Sequence, residues 1–360
     1  MRLLIIRFSS FGDIVQAIAV PQAFLDAFPG AQVDWLTRED FADLLRQQPS
    51  ITNVVSYSRR AGFLGLVGLA WRLSRHGYTH IYDAHSNLRS WIVRTTLRFG
   101  MIRNVLFLTD RPVALFAVRP KDRLARFWFF KFRKPSPFSE PLPRPFRGAD
   151  SYHRPLLKWG LPARVPTGVQ FHLKEIDLPN YVVSDLLKLR ESYDHVVAVA
   201  ASAAWEMKRW PTEHWRDLIL RLPRTAFVLL GGPNDQFLEE IRALDPERVL
   251  NLAGKLTLDQ SSAILTQSDL VIANDTGVLH VADQMERPTI ALIGPTAFGY
   301  PSHETSVYLE RPLACQPCSK DGRGGCVNTL YKRCLVELTP EIVSQTATRL
   351  LSAIPVRSSR

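Results

Sequence analysis

Cysteine is missing from the first 314 residues of the chain, and its four cysteines all lie between Cys315 and Cys334. In a cytosolic protein, such clustering favours a metal site or free thiols over a fold held by disulfides. Long apolar runs are also missing. The best candidate, Ala61–Trp71, has eleven residues and three glycines, whereas a membrane-spanning helix needs about 18 apolar residues. Arg7 interrupts the first apolar stretch, which is not typical of a signal peptide, so we expect a cytoplasmic location.

Acidic residues are scarcer than basic ones: 34 Asp and Glu stand against 45 Lys and Arg, a formal charge of +11. The excess is concentrated between Arg119 and Arg147, where nine basic residues accompany two acidic ones among many phenylalanines and prolines. Mixed cations and aromatic rings are typical of a surface that contacts anionic lipid at a membrane. The same composition also suits RNA binding, or a partly buried flap whose rings pack on the first domain.

The length of 360 residues predicts two domains, which we place at residues 1–178 and 179–360. Strand-like and helix-like segments alternate in both, which favours parallel sheets covered by helices. Residues 111–150, approximately, are expected to be an excursion from the first domain, and the final helix is expected to pack back toward that domain. Two doubly wound units in tandem predict a cleft with ligands beyond the carboxyl ends of the strands.

The predicted elements follow from runs of β-branched residues and from apolar residues at helical spacing. In the first domain they are strands Arg2–Arg7, Gln32–Leu36, Val54–Tyr57, His80–Asp83 and Asn104–Leu108, with helices Ile14–Phe28, Phe41–Gln47 and Phe63–His76. In the second they are strands His195–Ala201, Ala226–Gly231, Val249–Leu252, Asp269–Asn274 and Thr289–Ile293, with helices His214–Leu222 and Leu258–Gln267.

Asp275 stands at the end of an apolar strand, and Thr276 and Gly277 lead from it into a helix. The helix start can receive a phosphate on its free N–H groups, and the carboxylate can accept hydrogen bonds from sugar hydroxyls. The alternative is an ordinary helix with an Asp/Thr N-cap.

The loop after the first strand of the second domain carries Lys208 and Arg209, with Ser202 at the strand end. These cations can neutralise a diphosphate, or they are solvated loop residues. In the first domain, Asp13 follows Gly12 at the start of a helix. Its charge suits the helix macrodipole, and a carboxylate there can also take a proton from a hydroxyl as a general base.

These segments resemble, in the same order, the signatures of glycosyltransferase family 9, the ADP-heptose:lipopolysaccharide heptosyltransferases. The resemblance covers the opening Arg2–Phe28, the block Lys208–Pro211 with His214-Trp215, and the stretch from Asp275 to Thr296. It implies the GT-B fold, with two Rossmann-like doubly wound α/β domains that face a central cleft. It also implies an inverting transfer that needs no catalytic metal or other cofactor.

The resemblance assigns roles to individual residues. Asp13 becomes the general base, Lys208 meets the diphosphate and Asp275 meets the donor sugar. The other donor-binding residues that it implies are Ser202, Thr276, Gly277 and His280. We also expect the acceptor to contact Ser10, Gly12, His85 and Arg89, although Arg89 equally suits a cation on the helix surface.

The four clustered cysteines are Cys315, Cys318, Cys326 and Cys334. Their spacing suits a tetrahedral structural site for zinc or iron. Similar stretches occur in the family, and one binds iron in related protein heptosyltransferases. Four reduced thiols or two labile disulfides are the alternatives.

The resulting expectation is an enzyme that moves a heptose or similar sugar from an ADP-sugar to the lipopolysaccharide core. The acceptor would be lipid-anchored or phosphorylated, which would bring the enzyme to the inner face of the inner membrane. The alternatives are a transferase of the same family that modifies protein or another surface glycan, and a non-catalytic protein that binds nucleotide sugars. Only the net charge supports nucleic-acid binding, so nucleic acid is not an expected partner.

Overall fold

The computed structural model describes residues 1–107, 114–132, 145–174, 176–296 and 298–355, without the side chains of residues 104–107. The chain forms two compact units. The first comprises Met1–Asp122 and Ala149–His172, and the second comprises Arg123–Gly148 and Leu173–Arg360.

The strands and helices alternate through both units. The strands of the first sheet are β1 (Arg2–Ile6), β2 (Gln32–Arg38), β3 (Asn53–Tyr57), β4 (His80–Asp83) and β5 (Leu115–Val118). Those of the second are β6 (His195–Ala200), β7 (Thr225–Leu229), β8 (Val249–Asn251), β9 (Leu270–Asn274), β10 (Thr289–Ile293) and β11 (Ser306–Glu310). The helices are α1 (Phe11–Gln16), α2 (Ala19–Ala27), α3 (Ala42–Arg46), α4 (Gly62–Leu73), α5 (Leu88–Phe107), α6 (Arg123–Phe132), α7 (Gly148–His153), α8 (Asn180–Ser192), α9 (Thr212–Arg221), α10 (Phe237–Arg242), α11 (Leu258–Thr266), α12 (Gly277–Gln284), α13 (Arg333–Val336) and α14 (Pro340–Ser352). Short 3-10 turns cover Glu39–Phe41, Arg59–Ala61, Arg154–Trp159 and Glu206–Lys208.

Both sheets are entirely parallel in the described part of the chain. The strand order is β3-β2-β1-β4-β5 in the first and β11-β10-β9-β6-β7-β8 in the second. The winding direction therefore reverses between β1 and β4, and again between β6 and β9. Open parallel sheets bind ligands beyond the carboxyl ends of their strands at such switch points. A ligand site is therefore expected at the loops that follow β1, β4, β6 and β9.

Apolar strands fill the core of each unit. Leu4 of β1 and Ile81 of β4 are fully buried against α4 and α5 in the first unit. In the second, buried strand residues pack against Trp210 and Trp215, and α14 adds Val343, Ala347 and Leu351 at helical spacing. This side of α14 belongs to the core of the second unit, so its predicted packing on the first domain stays a prediction.

Two predicted elements of the first domain differ from the structure. The predicted helix Ile14–Phe28 is divided into α1 and α2, because Pro21 lacks an N–H and its ring clashes with the carbonyl four residues earlier, at Ala17. The predicted strand Asn104–Leu108 was wrong: α5 continues to Phe107, and Leu108 lies outside the described residues. Buried residues at helical spacing on α5 (Val93, Leu97 and Met101) outweigh the short β-like run at its end.

Further elements were missed by the sequence patterns. They include strands β5 and β11, helices α7, α10 and α13, helix α8 just after the predicted domain boundary, and helix α6 inside the basic excursion. The last is short and rich in aromatic residues, which have moderate helix propensity. The prolines 135, 137, 141 and 143 of the excursion lie outside the described residues.

Candidate active site

Asn274, the last residue of β9, ties together the two strand ends at the switch point of the second sheet. Its amide Nδ2 donates to the carbonyl of Ala201, just beyond β6, over 2.6 Å. Its Oδ1 accepts from the backbone N–H of Trp210 over 3.1 Å. Since the side chain is fully buried, these bonds fix the loop between residues 201 and 210 to the end of β9.

Asp275 follows Asn274 and receives two side chains from different loops. The Lys208 Nζ lies 2.9 Å from Asp275 Oδ2, and the Thr296 hydroxyl donates to the same oxygen over 2.5 Å. Burial would raise the pKa of Asp275, but the Lys208 ammonium, with His280 and Thr296, holds it below its usual value. A Cβ at Gly299 would lie only 2.1 Å from the Asp275 Cγ, so glycine is required beside this carboxylate.

The helix start after Asp275 separates two interpretations that the sequence left open. Thr276 is the N-cap of α12, and its hydroxyl accepts a hydrogen bond from the N–H of Leu279 over 3.5 Å. Gly277 is the first helical residue, and His280 is buried one turn further on. Thr276 therefore acts as the cap, whereas Asp275 is engaged with Lys208 and Thr296 instead of the helix.

Asp13 lies on α1, after β1, at the switch point of the first sheet. Arg7 places its NH2 2.5 Å from Asp13 Oδ2, and its NH1 donates to the carbonyl of Ala84 beyond β4 over 2.9 Å. The Ser10 hydroxyl donates to Asp13 Oδ2 over 2.8 Å. Arg7 therefore joins the loops that follow β1 and β4, and it directs a positive charge at the carboxylate.

The other oxygen of Asp13 is held by two residues that sequence reasoning missed. The Tyr152 hydroxyl donates to Oδ1 over 2.8 Å, and Arg119 NH1 lies 3.9 Å away. The Arg119 guanidinium also stacks on the Tyr152 ring at 3.7 Å from its centroid. Tyr152 is 139 residues from Asp13 in sequence, so no local motif could reveal it. The one signal that the sequence offered for this arrangement was a basic residue directly after a buried strand, which is the position of Arg7.

The charge balance around Asp13 keeps its carboxyl ionised. Burial raises the pKa of Asp13, but Arg7 and Arg119, helped by the hydrogen bonds from Ser10 and Tyr152, lower it far below the usual range. The Asp13 side chain is still 37% exposed, whereas those of Arg7 and Arg119 are 5% and 9% exposed. The site thus presents a partly exposed carboxylate that is held by buried cations.

The remaining predicted residues lie on the same loops or beside them. His85 follows β4, with its ring edge-on to Phe8 at 5.4 Å. Burial, together with the charges of Arg7 and Lys121, lowers the pKa of His85 to about 3, so the ring is neutral at physiological pH. The other predicted residues are exposed Ser10 before α1, half-buried Gly12 on α1, exposed Arg89 in the first turn of α5, and half-buried Ser202 after β6.

Comparison with known proteins shows which family the chain resembles. The model of glycosyltransferase family 9 (heptosyltransferase) matches residues 167–323. Lipopolysaccharide heptosyltransferase 1 of Escherichia coli K12 is 24% identical over 309 residues, which cover 82% of this chain and 88% of that protein.

The chain is similar to glycosyltransferase family 9.

Solved structures agree with the fold of this glycosyltransferase. A family 9 glycosyl transferase from Veillonella parvula has a TM-score of 0.68 and 20% identity, covering 98% of this chain and 97% of that chain. The E. coli heptosyltransferase WaaC with ADP has a TM-score of 0.65 and 19% identity, covering 97% of this chain and all of that one. The prediction of two Rossmann-like α/β domains of the GT-B type is confirmed.

The predicted metal centre of the glycosyltransferase finds no support. None of the four cysteines is in a disulfide, and no group of three or more His, Cys, Asp or Glu in the described ranges is arranged to hold a metal ion. The Asn328 amide contacts the sulfurs of Cys315 and Cys326, at 3.0 and 4.0 Å. Cys334 is buried in the core, where burial and the neighbouring thiols raise its pKa to about 12.

The lowered pKa of Asp13 predicts a pH-dependent contribution to stability. The ionised carboxylate stabilises the fold above its ordinary pKa of 3.8, and this contribution is lost as pH falls through the lower folded value. We expect Asp13→Asn to lower the melting temperature at pH 7, and the difference from the unmodified enzyme to shrink below about pH 4.

The matched control is Asp43→Asn, which breaks an ion pair with Arg46 on the surface, where the two side chains are 84% and 53% exposed. Exposed pairs contribute little, so this variant is expected to melt like the unmodified enzyme at both pH values. An Asp13→Asn protein as stable as the unmodified one at pH 7 would contradict the prediction.

Proposed function

We propose that this glycosyltransferase transfers a heptose from ADP-heptose to a lipopolysaccharide-core acceptor, with inversion at the anomeric carbon. The proposal rests on one observation above all: Asp13 and the Lys208–Asp275 pair each lie at the switch point of a parallel sheet. The related E. coli protein is named for lipopolysaccharide heptosyl transfer, and a structural neighbour was solved with ADP.

In this mechanism the first unit supplies the base. The acceptor oxygen bonds to the anomeric carbon while the bond from that carbon to the diphosphate oxygen breaks, and Asp13 takes the hydroxyl proton. The arginines make Asp13 a weak base. A weak base suffices when the transition state resembles an oxocarbenium ion, because the attacking hydroxyl becomes acidic as its new bond forms. We propose that Ser10, Gly12, His85 and Arg89 contact the acceptor.

The second unit holds the donor in this proposal. The Lys208 ammonium has three donors and one is used on Asp275, so two can reach a diphosphate. The N-terminus of α12, with Thr276 and Gly277, adds free N–H groups and the positive end of its dipole. As the diphosphate leaves, these groups stabilise the charge that develops on it. Asp275 then accepts hydrogen bonds from the sugar, with Ser202 and His280 completing the donor contacts.

The role of Asp13 predicts a loss of transfer without a loss of donor binding. General-base catalysis contributes about 100-fold or more to a rate, so Asp13→Ala and Asp13→Asn should lower kcat by at least that factor. ADP affinity, measured by calorimetry, should be unchanged, because the donor residues lie on the other unit. Full transfer activity in either variant would refute the assignment.

The role of Lys208 predicts weaker nucleotide binding. A hydrogen bond to a charged group contributes about 1.5–3 kcal/mol, so Lys208→Ala should weaken ADP binding by at least about tenfold. Calorimetry with ADP, UDP and GDP tests both the lysine and the choice of base. Lys188→Ala removes a lysine that is 72% exposed on α8 and should leave all three affinities unchanged. Equal affinity of the Lys208→Ala and unmodified enzymes for ADP would contradict the phosphate role.

Helix α6 supports a further part of the proposal, peripheral contact with the inner face of the inner membrane from the cytoplasm. Its Leu124, Phe127 and Phe132 are exposed, and Lys131 lies over the two phenylalanine rings. The opposite side packs within its own unit, where Arg126 lies 4.2 Å from the Phe298 ring centroid. In the described ranges no helix combines the length and apolarity needed to cross a bilayer. The exposed side of α6 suits shallow insertion beside anionic headgroups.

Flotation with vesicles that contain anionic lipid tests this contact. Burial of a Leu or Phe side chain contributes about 1.5–3 kcal/mol, so the double variant Leu124→Ser/Phe127→Ser should bind vesicles at least about tenfold more weakly. Leu187→Ser changes an exposed leucine on α8 and serves as the control with unchanged binding. Unchanged vesicle binding by the double variant, or a loss of RNA binding instead, would contradict membrane contact.

A further inference from the structure

We propose that the cysteine segment, residues 315–334, positions the donor site, and that Gly322 within it sets the position of the Lys208 side chain. This inference rests on the proposed phosphate role of Lys208. It gives the cysteine segment a function that depends on its backbone and polar contacts and needs no metal.

Gly322 is buried directly against the stem of Lys208. Its φ of +92° is a conformation that favours glycine. A Cβ at this position would lie 2.7 Å from Cγ and 2.8 Å from Cδ of Lys208, and 3.1 Å from Cβ of Trp205. These distances are too short for carbon atoms, so the absence of a side chain at Gly322 is what allows the lysine to follow its path to Asp275.

The turn that contains Gly322 is held on both sides and cannot easily retreat. The Ser319 hydroxyl accepts from the N–H of Gly322 and donates to the carbonyl of Arg323, both over 2.9 Å. The Arg323 guanidinium stacks on the Trp205 ring at 4.8 Å from its centroid. A side chain added at Gly322 would therefore displace Lys208 and not the turn.

The same segment also contacts the loop that carries the second partner of Asp275. The N–H groups of Cys318 and Ser319 donate to the carbonyl of Pro295 over 2.9 and 3.0 Å. The next residue, Thr296, donates its hydroxyl to Asp275. The cysteine segment thus supports both loops whose side chains hold this carboxylate.

The C-terminal end of the cysteine segment also contacts the loop that carries Lys208. Lys332 forms an ion pair with Glu206, and its Nζ donates to the carbonyl of Arg209 over 3.2 Å. The Tyr331 hydroxyl donates to the same glutamate. Because Glu206 and Arg209 flank Lys208 in sequence, the backbone on both of its sides is restrained. A lysine held in this way loses less conformational entropy when it meets a phosphate.

Two glycines of the segment provide a matched experiment. Gly324 has nearly the same φ, +94°, but a Cβ there would meet no atom within 4 Å. Gly322→Ala and Gly324→Ala therefore carry similar backbone strain, and only the first presses on Lys208. We expect Gly322→Ala to weaken ADP binding about tenfold and to raise the donor KM more than it lowers kcat, whereas Gly324→Ala keeps the affinity of the unmodified enzyme.

A double-variant cycle shows whether the effect passes through Lys208. In a Lys208→Ala background, Gly322→Ala should cause no further loss of ADP affinity. An equal loss for the two glycine variants, or a full loss that persists without the lysine, would overturn the inference. If Lys208→Ala itself leaves ADP binding unchanged, the proposed phosphate role fails and this inference fails with it. Weak binding by Lys208→Ala with normal binding by Gly322→Ala would refute the positioning role alone.

Ser319→Ala keeps the test decisive if Gly322→Ala does not fold. It removes the hydroxyl that fixes the turn and adds no atom near Lys208. A several-fold loss of ADP affinity that disappears in the Lys208→Ala background would support positioning by the segment. An affinity equal to that of the unmodified enzyme would overturn it.

Discussion

The ion pair between Lys208 and Asp275 is the contact on which the loops of the second unit converge. A charge taken out of water costs several kcal/mol unless its partners satisfy it, and the buried Asp275 carboxylate is bonded to Lys208 and Thr296. Lys208 comes from the loop after β6, and Thr296 comes from the loop after β10. A shift of either loop would leave the carboxylate poorly paired. One buried charge therefore couples the conformations of two loops, and the cysteine segment contacts both.

The first unit arranges its charges in the opposite way. There the cations are buried and the carboxylate is partly open: the side chains of Arg7 and Arg119 are almost inaccessible, whereas more than a third of Asp13 is exposed. Buried guanidinium groups need several acceptors, and here a backbone carbonyl and the ring face of Tyr152 share this task with Asp13. The carboxylate is consequently ionised and held in one orientation. This suits a group that must receive a proton from a ligand, because more than a third of the side chain stays accessible while its partners fix its orientation.

Local patterns were sufficient to predict most strands, the alternation of β and α, and the loops of Asp13, Lys208 and Asp275. Each of these depends on residues close together in sequence. The division of the predicted helix near Pro21 is equally local. It was missed because the prediction relied on the apolar periodicity and not on the missing N–H of the proline. The end of α5 was different, because packing of its buried side overrode the β preference of the last residues. Tyr152, Thr296 and Gly322 lie far in sequence from the residues they hold, so only the folded chain brings them to the site.

The structure also shows that helix capping does not explain the positions of Asp275 and Asp13. At β9 the sequence allowed Asp275 or Thr276 as the N-cap, and the hydroxyl of Thr276 takes that position, so capping does not explain the aspartate. At α1, Asp13 lies in the first turn of a helix of six residues, where the macrodipole contributes at most about 1 kcal/mol to an exposed acid. Its strongest partners instead come from the residues directly after β1 and β5 and from α7. A carboxylate that is supported by residues outside its own helix and is still more than a third exposed is organised for a task that the short helix itself does not require.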